Sequence, residues 1–163
     1  MRYFLRMVTM LALLTAALAM AVLNGCGGGD KERAEKPSEA VTLDQVAGTE
    51  WVLRWWDRQE PALLTSEVTL SYVDGQFVGS NGCNNYFCGV EAGAGPGEIT
   101  VSIGGATKKF CPDPAGEIEM RYARLLQAVN HMAIKGGELE LAYEFEGNEG
   151  AMIFKAREIE ETE

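Results

Sequence analysis

"EVTLSYVDGQFVGSNG" (residues 67–82) decides the fold. Two runs rich in β-formers flank Asp74-Gly75, a pair favoured in tight hairpin turns. The stretch therefore reads as an antiparallel hairpin, and similar patterns recur on both sides of it. In "EWVLRWWD" (50–57), strict alternation puts Trp51, Leu53 and Trp55 on one face and Val52, Arg54 and Trp56 on the other. On that pattern two of the tryptophans belong to the core and Trp56 is the freer one. "EITVSIGGA" (98–106) reads as a strand ending in glycines, and "HMAIKGGELELAYEF" (131–145) as a hairpin turning at Gly136-Gly137. "GAMIFKARE" (150–158) is the last strand. One helix lies among them. Asp113 suits its cap, Pro114 its first turn, and Glu117 and Glu119 the positive end of its dipole. Ile118, Tyr122, Leu125, Leu126 and Val129 follow at helical spacing, a core-packing stripe. The expected fold class is α+β: a β-rich antiparallel sheet or open barrel with one covering helix.

The chain has 163 residues and a formal net charge of -10. Its folded domain is expected over 43–157. Residues 1–25 read as a lipoprotein signal peptide, because Arg2 and Arg6 precede the apolar run "MVTMLALLTAALAMAV" (7–22), which is short for a membrane span. Leu23-Asn24-Gly25-Cys26 resembles a bacterial lipobox. In that chemistry the small Gly25 enters a peptidase cleft, and the Cys26 thiol takes a diacylglyceryl group. More than one acyl chain, palmitate for example, is needed for stable anchoring. Residues 26–42, with Gly27-Gly28-Gly29 and "DKERAEKPSEA", read as a flexible, lipid-anchored tether. Residues 158–163, "EIEETE", read as a solvated acidic tail. Residue 27 is Gly rather than the Asp that commonly retains lipoproteins at the inner membrane. The expected location is the cell envelope, at the outer membrane facing the periplasm if the cell is Gram-negative. The acidic balance argues against a nucleic-acid partner and against charge-driven membrane binding.

Residues 80–89, "SNGCNNYFCG", and 106–112, "ATKKFCP", form a cysteine-bearing loop region. Gly82, Asn84 and Asn85 suit a tight turn with side-chain-to-backbone hydrogen bonds. An exported compartment is oxidising, so cysteines there pair, and three cysteines leave one thiol over. "GTEW" (48–51), Gly79-Ser80, "GCNNY" (82–86), Thr107 with Cys111, and "GGELEL" (136–141) come in one order. In that order they resemble the META domain, the module of the HslJ heat-inducible bacterial lipoproteins. The resemblance spans roughly residues 44–156. It implies a compact β-rich fold with one helix, no established enzymatic activity, and links to stress or antibiotic tolerance. It also brings Cys83 and Cys111 close together, with Cys88–Cys111 as the competing disulfide and Cys88 as the departure from the family pattern. A fold likeness to a secretion-system pilot lipoprotein implies an open barrel with a lipid-sized crevice.

No enzyme, cofactor or metal site is expected. The C-x4-C spacing and the lone His131 make a poor metal set and offer no base for a nucleophile. "GAGPG" (93–97) is a loop without a following helix, so it is not a phosphate cradle. Two function classes remain. One is a non-catalytic interaction module contacting an envelope protein, with Trp56, Asn84, Asn85 and Tyr86 as the candidate ligand or partner surface. The other binds or carries an apolar or lipid ligand in a barrel cavity lined by Leu53, Leu70, Phe77 and Ile103.

Overall fold

The structure, a computed structural model, describes residues 39–157. The expected signal peptide, Cys26, most of the tether and the acidic tail lie outside the described residues. In chain order the elements are β1 Glu39–Ala40, α1 Leu43–Val46, β2 Trp51–Asp57, β3 Glu60–Pro61, β4 Thr69–Val73, β5 Gln76–Ser80 and β6 Asn85–Ala92. They continue with β7 Ile99–Val101, β8 Gly105–Ala106, α2 Ala115–Gln127, β9 Val129–Lys135, β10 Glu138–Phe145 and β11 Asn148–Ala156.

The strands pair antiparallel in the order β1-β9-β10-β11-β2-β4-β5-β6-β7, with β3 added to β2 and β8 to β6. The sheet curls until its far edge returns to β9. There Glu98 bridges His131, and the Met132 N–H donates to the Gly97 carbonyl at 2.8 Å. Gly97 has φ +77°, and a Cβ on it would lie 2.6 Å from the Met132 carbonyl oxygen, so this seam requires glycine. The result is a nearly closed barrel with α2 over one side.

The 67–82 hairpin is present as β4–β5, with positive φ at both Asp74 and Gly75. Leu53, Leu70, Phe77, Leu139, Leu141, Met152 and Phe154 fill the interior. Fully burying each such side chain contributes about 1.5–3 kcal/mol, which makes this layer the main support of the fold.

Several expectations change. In β2, Phe154 pairs with Leu53 but Ile153 pairs with Trp55, so Arg54 is an extra residue, a β-bulge. The bulge reverses the alternation. Trp51, Leu53 and Trp56 enter the core, Trp56 at 4% exposure, while Trp55 is half-buried. The tether ends earlier than expected, because Glu39 and Ala40 pair with Ile134 and Ala133 and Val41 joins the core. Asp113 does not cap α2. Pro114 holds that position without a side-chain bond, and Val129 opens β9 rather than closing the helix stripe. Residues 85–92 form a full strand between β5 and β7 instead of continuing a loop. Leu53, Leu70 and Phe77 are packed core rather than cavity wall, and Ile103 stands at the surface, 84% exposed.

Candidate functional site

The turn before β6 is built on Asn81 and Asn84, both buried. The Asn81 carboxamide oxygen accepts the N–H groups of Cys83 (3.1 Å) and Asn84 (2.6 Å), the local bonding that asparagine brings to turns. Gly82 sits at φ +91°, and its missing Cβ leaves room for Ile118 of α2.

Asn84, 2% exposed, then clasps three segments together. Its Oδ1 accepts from the Thr107 hydroxyl (2.7 Å) and the Lys109 N–H (2.8 Å). Its Nδ2 donates to the Lys109 carbonyl (3.2 Å) and to both Glu119 carboxylate oxygens (3.0 and 3.2 Å). The Asn81 amide donates to Glu119 as well, at 3.1 Å. Cys83 and Cys111 are joined as a disulfide with Cα atoms 6.1 Å apart. Residues 107–111 are thus a strap held at Thr107, at Lys109 and at Cys111. No buried side-chain N or O among the described residues lacks a partner, so the clasp is saturated.

Cys88 remains a buried thiol on β6. Burial pushes it up to about 11, against a smaller lowering by a backbone hydrogen bond at Phe77. Tyr86 donates to the Thr69 carbonyl at 3.1 Å and meets the Tyr122 hydroxyl at 2.7 Å. Desolvation raises both phenols well above the ordinary tyrosine value.

Beside this pair, α2 and the β6–β8 edge enclose a crevice of about 180 Å³. Phe87, Cys88, Gly104, Gly105, Ala123 and Leu126 supply its small and apolar wall, and Glu119 and Gln127 are polar members. The wall lies close because residues 104 and 105 are glycines. A Cβ on Gly104 would overlap the Phe87 carbonyl oxygen, and one on Gly105 would sit 3.0 Å from the Phe87 ring. Phe87 itself is 52% exposed at the rim.

The expected four-residue surface is therefore not assembled. Trp56 is buried beneath the Arg121 guanidinium, 4.5 Å from its ring centroid, and Asn84 is buried in the clasp. Asn85 is exposed and Tyr86 half-buried, with Tyr86 lining the crevice. His131 faces the Pro96 carbonyl at the barrel seam. Among the described residues no three His, Cys, Asp or Glu side chains converge as a metal site. The crevice went unread in the sequence. Its signal is the Gly104-Gly105 pair, small residues where two chain segments must touch.

A family description, META domain, matches residues 44–158. The chain belongs to the META domain family. Two solved structures share the fold seen here. "NMR structure of the protein from Burkholderia xenovorans" has a TM-score of 0.62 at 17% identity, covering 83% of this chain and 99% of that one. "NMR structure of the protein" has a TM-score of 0.54 at 19% identity, covering 71% and 94%. At such identities the likeness shows the fold alone. No curated protein matches the chain.

Proposed function

We propose that this META-domain protein is a non-catalytic envelope lipoprotein, anchored by lipid on Cys26, that holds an envelope protein partner in a stress-tolerance role. The observation that carries the reading is the crevice between α2 and the β6–β8 edge. At about 180 Å³ it suits one or two side chains of a partner. It is smaller than the roughly 300–1,000 Å³ of small-molecule sites. The barrel interior, where an acyl chain would lie in a carrier, is occupied by Leu53, Leu70, Phe77 and Phe154. The lipobox-like Leu23–Cys26 and the glycine-rich, charged stretch after it support the anchor.

The test is photo-crosslinking in cells from a benzophenone amino acid at position 87, with metabolic acyl labelling of the wild type and of Cys26→Ser. A discrete protein adduct, and acyl label lost in Cys26→Ser, are expected. A lipid-sized adduct on the exported chain by native mass spectrometry, with no protein crosslink, would move the reading to carriage of an apolar ligand.

A further inference from the structure

Ala106 is the last residue of this segment in the crevice wall. The chain runs on as the strap, and two residues beyond Ala106, about 7 Å along the chain, Lys108 begins the sequence Lys108-Lys109-Phe110. All three are exposed, Phe110 at 93%. Such exposure is ordinary on a mobile tip, but this strap is fixed. The Lys109 N–H and carbonyl are both bonded to the buried Asn84 amide, and Cys111 is bonded to Cys83. The Phe110 ring is therefore presented by a held backbone.

The cations of the domain are distributed unevenly. Arg58, Arg121, Lys135, Lys155 and Arg157 each hold an ion pair. Among the described residues Lys108, Lys109 and Arg124 hold none, nor does Arg54 on the β2 bulge. The first three of these lie on the strap, which follows the crevice-lining Ala106 in the chain, and on α2, which forms one wall of the crevice. Acidic groups on the same elements are Asp113 and Glu117, exposed near the start of α2, and Glu119. The Glu119 carboxylate is already turned onto the Asn81 and Asn84 amides.

We infer that the crevice and the strap are one docking surface for an extended acidic segment of a protein partner, carboxylates flanking an apolar side chain. The apolar side chain enters the crevice beside Phe87, the carboxylates meet Lys108 and Lys109, and a neighbouring apolar group covers Phe110. This rests on the interaction reading above and adds the chemistry of the partner. An anionic lipid surface offers similar charge, but it is broad and faces the whole domain. A chain of net charge -10 is repelled by such a surface, whereas a segment touches only the strap and crevice.

The test uses the chain from residue 26 with Cys26→Ser, which stays unacylated. The probes are a labelled peptide with one phenylalanine between glutamates, its lysine counterpart, and phosphatidylglycerol vesicles. Expected are binding of the acidic peptide alone, weakening with salt, and a roughly tenfold loss in Lys108→Glu/Lys109→Glu. Phe110→Ser loses binding as well, and Arg54→Glu does not. Vesicle binding in place of peptide binding overturns the inference, as does equal affinity of wild type and the double variant, or equal loss in Arg54→Glu. A protein crosslink from position 87 together with no peptide binding leaves the interaction reading standing and overturns only this assignment.

Discussion

Replacing Asn84 by Asp changes one atom of a buried side chain and reverses its chemistry. The Oδ1 end keeps its bonds from Thr107 and the Lys109 N–H. The other end, now oxygen, faces the Glu119 carboxylate at 3.0 Å and the Lys109 carbonyl at 3.2 Å. Two carboxylates at that separation repel by about 5 kcal/mol at an effective dielectric of 20. The molecule has a cheaper course, which is to keep one proton between them. Protonating an aspartate whose unfolded value is about 3.9 costs about 4 kcal/mol at pH 7, and the acid can then donate to Glu119. Asn84→Asp should therefore lose about 4 kcal/mol at pH 7.

The sign of the pH dependence follows from the same proton. The pair titrates above the unfolded value, so the folded state binds the additional proton and the variant loses stability as pH rises. The deficit should shrink by about 1.4 kcal/mol per unit as pH falls from 7 toward 4. Asn84→Ala leaves the Lys109 N–H and the Glu119 carboxylate without the amide and should lose about 3 kcal/mol with a flat pH profile. Urea unfolding followed by tryptophan fluorescence, each variant against wild type at the same pH, reads both. An Asn84→Asp deficit that does not change with pH would refute the placement of Nδ2 against Glu119.

Breaking the Cys83–Cys111 bond with paired alanines opens a loop of sequence separation 28 and should cost about 3.6 kcal/mol, read as a lowered urea midpoint. Trp56→Ala should cost about 3–5 kcal/mol and Trp55→Ala markedly less, the opposite of what plain alternation gives; thermal denaturation of the two variants decides it. The Cys88 thiol, held up to about 11, should resist iodoacetamide at pH 8 in the native protein and react promptly in urea. Its folded value lies above that of an ordinary thiol, so its contribution to stability should fall as pH rises from about 9 to about 11. A Cys88→Ala variant should lack that increment in urea titrations across the range.

What could be read from the sequence was local. Asp74-Gly75 dictates its own turn, and the helix stripe Tyr122, Leu125 and Leu126 states its own period, so both stand in the structure. Trp55 and Trp56 were exchanged because the bulge at Arg54 is set by the register of β11, about a hundred residues on, and no window around 50–57 contains it. Strand β6, "NYFCGVEA", looks like the end of a polar turn and becomes a strand only through β5 on one side and β7 and β8 on the other. The crevice is harder still, since it is a gap between Gly104-Gly105 and a helix, and gaps have no residue pattern of their own.

The residues that make the family recognisable bear on function in a different way. Gly82, Asn84, Thr107 and Cys111 all go into one clasp: room for Ile118, the amide hub, the hydroxyl on that hub, and the disulfide. The two polar side chains among them, Asn84 and Thr107, are both engaged within the clasp. Their combined effect is to fix the backbone of residues 107–111 while leaving the side chains at 108–110 outside. The motif is thus a mounting, and the specificity of the protein should lie in the residues mounted on it. Exchanging Lys108-Lys109-Phe110 within an intact clasp should change what the domain binds while leaving its unfolding free energy within about 0.5 kcal/mol of wild type.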